Sequence, residues 1–243
     1  MFAMRALTIA RREMYAYLRS PLGSAIIAAA LLVDGILFYW QSGIEQKLLS
    51  AQVLQQFFYN ATAPTMGAGI LLSMRLLAEE RQSGTITLLN TAPVRDRDIV
   101  AGKFLSAFGM VTLMNLLTFY MPLMLHIRGK VSVGHIVVGY IGLILFGGAV
   151  TAIGLFASSL ARSQVVAFII GAVILAPLLT LWIVARAVDP PFNSFLTGLA
   201  LHHENYRPFM SGTLEFDRVV YYLMITFFFL LAATKVLEAR RWR

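Results

Sequence analysis

An all-α membrane protein is the fold class this sequence predicts: six transmembrane helices, an N-terminal interfacial helix and a short cytoplasmic helix between the second and third spans. Three observations carry it. Of the 243 residues, 58% are hydrophobic and 13% charged, and the mean hydropathy is +0.74, whereas an ordinary soluble domain is roughly 45–50% apolar and about 25% charged. A soluble globule of this length has too little interior to hide so much apolar surface, so lipid must serve as its solvent, and the same figures exclude disorder. Six stretches approach or exceed the ~20 apolar residues that a helix needs to cross hydrocarbon. Finally, the lysines and arginines divide unevenly between the two sides that those spans define.

Residues 1–20 precede the first span. Ala3, Leu7, Ala10, Met14 and Tyr17 recur at four- and three-residue steps on one helical face, and Arg5, Arg12 and Arg19 at seven-residue steps on another. This pattern describes a helix lying in the membrane surface, its arginines turned to anionic headgroups or to a partner. The spans follow in order. Pro21–Trp40 has one charge, Asp34, and reads as a span rather than a cleavable signal because it is long and lacks a small-residue cleavage site. Ala61–Leu77 carries Arg75 near its end; Phe104–Leu125, Ile136–Leu160 and Val165–Ala185 carry no charge. Val219–Thr234 is short, but Lys235 can snorkel and Tyr221 and Tyr222 suit an interface. Pro122 and Pro177 predict kinks in the third and fifth spans.

An even number of spans puts both termini on one side. Of the 20 Lys and Arg residues, all but Lys47, Arg128, Lys130, Arg186, Arg207 and Arg218 fall on that side, so the positive-inside rule places both termini in the cytoplasm. The net charge of +8 then records topology and calls for no nucleic-acid partner.

Reactive groups are missing. Gly102-Lys103 has neither the upstream glycine nor the following hydroxyl residue of a phosphate-binding loop, so this chain is not expected to hydrolyse ATP. There is no HExxH helix, no GxSxG elbow and no cysteine, and one deep acid cannot form an intramembrane aspartyl dyad. No catalytic residue, bound cofactor or metal is expected. His202-His203-Glu204 looks like a ligand set, but adjacent histidines cannot chelate from one helical face, where i, i+4 is the useful spacing. Asp34 is costly in a span; it is either a candidate for the substrate path, facing the bundle interior, or a hydrogen-bonded structural carboxyl. Gly147, Thr151, Gly154 and Ser158 form a small-residue stripe that admits a second helix closely, within the protomer or between two.

The most unusual stretch is cytoplasmic, residues 79–103. A short amphipathic helix from about Gly84 to Thr91, stopped by Pro93, sets Ile86, Leu88 and Leu89 on a surface otherwise rich in charge, and Asp96 can cap the helix that follows. Apolar residues rimmed by charge make a protein contact, or else fold back onto the span ends. The run EERQSGTITLLNTAPVRDRDIVAGK resembles the cytoplasmic coupling segment of ABC (ATP-binding cassette) type-2 transporter permeases: a Glu pair, a Gly-Thr three residues on, a leucine pair, Pro-Val, then Gly-Lys entering the next span. Around it stand Met74-Arg75-Leu76-Leu77-Ala78, Gly139-Tyr140-Ile141-Gly142, the run from Gly154 to Leu160, then His203, Phe209, Gly212 and Asp217, and the closing Leu237-Glu238-Ala239-Arg240-Arg241-Trp242. These bring the likeness nearest the gliding-motility, GldF-like branch, close to NosY, over the whole chain. One departure stands in the outer loop, where that branch has His-Phe-x-x-Phe and this chain reads His203-Glu204-Asn205-Tyr206-Arg207-Pro208-Phe209.

The resemblance implies a single permease domain, residues 1–243, in a bacterial cytoplasmic (inner) membrane. Such a subunit binds no nucleotide. It pairs with a second copy as a homodimer and docks a cytosolic ABC ATPase subunit that carries ATP and Mg, for export or for mechanical transmission. A GldG-like membrane protein with an external domain is an implied companion. On this pattern Ile86, Leu88 and Leu89 enter the ATPase groove, Glu80 and Arg81 orient the contact, Gly84 and Thr85 open the coupling helix, and Pro93 closes it. Arg162, in the short loop 158–163, supplies a second docking point. The extracytoplasmic loop 189–217 caps the path with short helices at Phe192–Leu201 and Arg207–Leu214, or docks a partner. An ATP-independent secondary transporter or channel is the alternative; no inverted repeat supports it.

Overall fold

Every described element is a helix. The computed structural model describes the chain apart from residues 1, 43–49, 85–94, 129–130, 190 and 242–243, and apart from the side chains of 2–5, 41–42, 128 and 241. In order the helices are α1 (Phe2–Arg19), α2 (Pro21–Ser42), α3 (Ser50–Ser73), α4 (Arg75–Gln82), α5 (Asp96–Leu117), α6 (Tyr120–Arg128), α7 (Val133–Leu160), α8 (Gln164–Ala185), α9 (Phe192–Leu199), α10 (His203–Met210) and α11 (Phe216–Arg241). Six stretches are long and apolar enough to cross a membrane: α2, α3 with α4, α5 with α6, α7, α8 and α11.

The six are not equivalent. In α7, 72% of the most apolar stretch is buried within the protein, against 11% in α11 and 17% in α2 and α8. α7 is therefore the central post, with α11 and α3 packed most extensively against it, and the outer helices turn side chains such as Leu223, Met224, Phe227 and Phe228 outward, where lipid can solvate them. Small residues let the post be approached. A methyl group on Gly139 would collide with the Phe58 ring, and one on Gly154 with Ser73 Oγ. Gly147, Thr151, Gly154 and Ser158 are all buried, so the small-residue stripe packs inside the protomer, against α3. The larger hydrophobic core, at one end, gathers Phe57, Phe58, Tyr140, Phe146, Tyr206 and Phe209; a second, at the arginine-rich end, gathers Tyr17, Leu76, Leu77, Val100 and Leu237.

Two expected boundaries are corrected, and the two prolines behave differently. The second span begins at Ser50 rather than Ala61: Gln52, Gln55 and Gln56 lower its hydropathy, yet Val53, Leu54, Phe57 and Phe58 all bury toward the protein. The third span breaks at Thr118 and Phe119, four and three residues ahead of Pro122, because a proline lacks the N–H that would bond the carbonyl four residues back and its ring clashes there. The fifth helix runs through Pro177 without interruption. The second outer helix is His203–Met210 rather than Arg207–Leu214; Gly212, at φ +78, turns the chain out of the helix before Leu214. The first outer helix, Phe192–Leu199, lies within its expected range.

The interfacial helix also sits differently from its simple face pattern. Ala6, Ala10 and Tyr17 bury, while Leu7 and Leu18 are exposed. The reason lies on α5: a methyl on Gly102 would come within 2.8 Å of the Ala6 carbonyl oxygen and of the Ile9 side chain. With no side chain there, α1 settles on α5 along its small-residue face and leaves Leu7 outward.

Candidate functional site

The site is built where α3 ends. Beyond Ser73 the chain makes one turn at Met74 and resumes as α4. The first N–H groups of a helix lack partners inside it, and here Ser158 of α7 supplies them. Its Oγ accepts from Leu77 N and Ala78 N at 3.0 Å each and donates to the Met74 carbonyl at 2.8 Å. The short α4 is thus pinned to the central post.

α4 is charged along its length. The Arg75 guanidinium grips Glu79 with two bonds, 2.8 and 3.1 Å, and lies 5.9 Å from the Tyr17 ring centroid. Tyr17 donates its hydroxyl to the Leu72 carbonyl at 2.8 Å; burial pushes its pKa well above the ordinary range, so it stays a neutral donor. One turn further on, Glu80 Oε1 accepts from Lys103 Nζ at 2.8 Å, and the same ammonium reaches Glu13 Oε1 at 3.4 Å. Lys103 is only 2% exposed. An ammonium taken out of water needs carboxylates at close range to offset its lost hydration, and these come from α1 and α4, so three elements meet on one cation. Between them lies a polar pocket of about 170 Å³ lined by Glu13, Tyr17, Arg75, Glu79, Glu80 and Lys103.

Two arginines bind the neighbouring loop. Arg81 donates to the Ala161 carbonyl at 2.8 Å and Arg240 to the Leu160 carbonyl at 2.9 Å. Arg162, between them in sequence and α8, is exposed. Gly84 closes off the end of α4: its φ is +72, a left-handed conformation that glycine adopts without strain, and its N–H bonds the Arg81 carbonyl at 3.2 Å. Thr85, Ile86, Leu88, Leu89 and Pro93 lie outside the described residues. The chain resumes with Arg95, not Asp96, at the cap position of α5; Asp96 and Asp98 fill its first turn, where their charge meets the positive end of the helix dipole.

Away from this end, Asp34 is 3% exposed, and its Oδ2 has no hydrogen-bond partner among the described residues. Nearer the middle of the bundle, Thr65 donates to Asn115 at 2.8 Å, and Thr118 and Tyr140 share a hydrogen bond of 3.0 Å beside the break in the third span. The two outer histidines part company. His202 Nε2 meets Thr62 Oγ1 at 2.9 Å, while His203 stacks on Trp182 at 4.3 Å between centroids. Burial, with His203 adding to it, pulls the His202 pKa down to about 4. No cluster of three His, Cys, Asp or Glu that could hold a metal occurs among the described residues.

The structure thus brings Glu80 and Arg81 to one short helix, with Arg162 beside the carbonyl that Arg81 grips, and sets Asp34 apart from all three. Sequence reasoning missed Glu13, Lys103, Tyr17, Arg75 and Ser158. The signal for Lys103 was present, a lysine on the threshold of an apolar span that must find acids nearby, but nothing local said which acids. Nothing in this arrangement pairs a nucleophile with a base. It is a braced joint between a charged helix and the bundle.

Residues 7–237 match the family model described as ABC-2 family transporter protein. A search of the curated proteins finds no match.

Proposed function

This chain belongs to the ABC-2 transporter family, as a multi-pass membrane permease, and from that membership we propose that it is the membrane subunit of an ATP-driven exporter, worked by a separate cytosolic ATPase. The observation that supports this most is the bracing of α4. That helix continues the second span, leads directly into residues 85–94, and is tied to α1 and α5 through Lys103, to α7 through Ser158, and to the loop before α8 through Arg81. A displacement applied at residues 85–94 is therefore handed to several elements together, as a rigid-body transition requires. ATP and Mg belong to the partner, and this chain supplies no catalytic group.

In this reading Ile86, Leu88 and Leu89 enter a groove on the ATPase, flanked by Gly84, Thr85 and Pro93, and exposed Arg162 makes a second contact. Glu80 and Arg81 act from behind, holding the stem, rather than at the rim. Both termini lie in the cytoplasm of a bacterial cell with the permease in its inner membrane. Two copies form a homodimer, and a GldG-like companion with an external domain docks on the side of α9 and α10. The branch nearest in pattern is the GldF-like one. Asp34, buried with one oxygen unpartnered among the described residues, is the candidate for the substrate path. Leu88→Glu tests the central contact: ATPase capture by the tagged permease should fall at least about tenfold, the cost of burying one unpaired carboxylate being well over 1.4 kcal/mol, with membrane insertion unchanged. Undiminished capture would remove Leu88 from the interface.

A further inference from the structure

A second feature lies at the same end, on the outer face of the bundle. A groove of about 860 Å³ runs between the start of α5 and the end of α11. Its walls change character along the helix axis. Phe227, Leu230 and Leu231 line it toward the middle of α11, with Val100 opposite, while Arg95, Arg97 and Lys235 stand at its mouth. The apolar part is open: Phe227 is 64% exposed and Leu231 47%. Both walls belong to helices long and apolar enough to cross a membrane, and the basic mouth falls at their ends, so the groove straddles the level where hydrocarbon gives way to headgroups. From Phe227 to Lys235 the helix rises about 12 Å, which matches the reach from a glycerol phosphate down the upper part of an acyl chain.

Charge settles the class of occupant. Lys235 is already paired with Glu238, at 2.8 Å. Among the described residues neither Arg95 nor Arg97 has a carboxylate within ion-pair distance. The wall holds Arg95, Arg97 and Lys235 against Asp96 and Glu238, an excess of one positive charge. A lipid of net charge −1 neutralises it; a zwitterionic lipid does not. We infer that this groove is a binding site for an anionic phospholipid, its phosphodiester between Arg95 and Arg97 and an acyl chain along Phe227, Leu230 and Leu231. Arg95 is the first described residue after 85–94, so the bound headgroup lies against the foot of that segment. The inference rests on the groove and on the membrane spans, and stands whether or not an ATPase docks.

Native mass spectrometry of the full-length protein in detergent tests it, with palmitoyl-oleoyl phosphatidylglycerol and the matching phosphatidylcholine as probes. The expected result is one phosphatidylglycerol retained in preference to phosphatidylcholine, with retention reduced roughly 10- to 30-fold in Arg95→Gln/Arg97→Gln, since a basic residue near an anionic lipid contributes about a kcal/mol. Arg186→Gln/Arg207→Gln removes the same charge from exposed positions outside the groove and should leave retention intact. Leu231→Trp fills the apolar floor without changing charge, and should lose the lipid too. Excess inorganic phosphate should not displace it. Equal retention of both lipids, equal loss in the two double variants, or displacement by phosphate would each overturn the assignment. If the Arg95→Gln/Arg97→Gln protein does not fold, the two-lipid comparison and Leu231→Trp decide alone.

Discussion

The two ends of this bundle are held by different physics. At the arginine-rich end, α1, α4, α5 and the loop before α8 meet through charges: one buried ammonium between two carboxylates, one arginine gripping a glutamate, and two arginines on backbone carbonyls. At the far end, α9 and α10 are seated chiefly by rings and neutral groups, with one arginine, Arg218, donating to Asn205. Phe146 lies 5.8 Å from Tyr206 and 6.3 Å from Tyr222, Tyr222 donates to the Leu201 carbonyl at 2.8 Å, and His135 bonds the Met210 carbonyl at 2.6 Å. Charged joints are directional and costly to break singly; packed aromatics are broad and tolerate shifts of a few tenths of an ångström.

The largest expected effect comes from unbalancing the charged joint. Lys103→Met leaves Glu13 and Glu80 without their common cation, and should destabilise the protein by about 3–5 kcal/mol, read as thermal unfolding in detergent. Adding Glu80→Gln should recover part of the loss. A loss below about 1 kcal/mol would mean that the joint is in effect a surface pair and the contrast is lost. At the far end the sensitive quantity is volume. In Gly142→Ala the new methyl would stand 2.5 Å from Phe209 Cβ, and overpacking of this kind costs about 1–3 kcal/mol.

Acid sharpens the comparison further. The unfolded chain protonates His202 near its ordinary 6.5, whereas the folded protein resists until about 4. The unfolded state therefore binds more protons between those values, and folding stability should fall as pH drops from about 6.5 toward 4, then flatten. His202→Gln should remove that slope, which unfolding midpoints across the window would record; an unchanged slope would place the acid sensitivity elsewhere. The smallest effect is a control. Lys235 and Glu238 are largely exposed, so Lys235→Gln should alter stability by no more than about 0.5 kcal/mol.

The fold was largely legible because lipid imposes a demand that hydropathy measures directly: the uncharged spans appear where the sequence puts them. What escaped notice did so for identifiable reasons. The early start of the second span hid behind three glutamines, because a hydropathy window averages around a helix whose inner face alone is buried. Pro122 announced a disturbance whose place, Thr118, follows from the carbonyl four residues back. The stripe through Gly147 and Gly154 announced close packing but not its partner, which only the fold could name as α3. The charged joint was the least legible part. Glu80 and Lys103 are 23 residues apart, and Glu13 and Lys103 are 90 apart, and no local period links residues whose meeting depends on three helices docking. Glu80 and Arg81 are half-buried and bonded, one to Lys103 and the other to the Ala161 carbonyl, ties that charge beside a loop does not announce.

The proposal that this permease is the membrane half of an ATP-driven pair has a direct test. Extracting the tagged protein from its native membranes in mild detergent, and quantifying what accompanies it by mass spectrometry, tests that most directly. An ABC ATPase subunit should appear in stoichiometric amount and be lost in Leu88→Glu. Recovery of this chain without any ATPase, under extraction that preserves known membrane complexes, would contradict it and return the molecule to the class of self-contained transporters or channels.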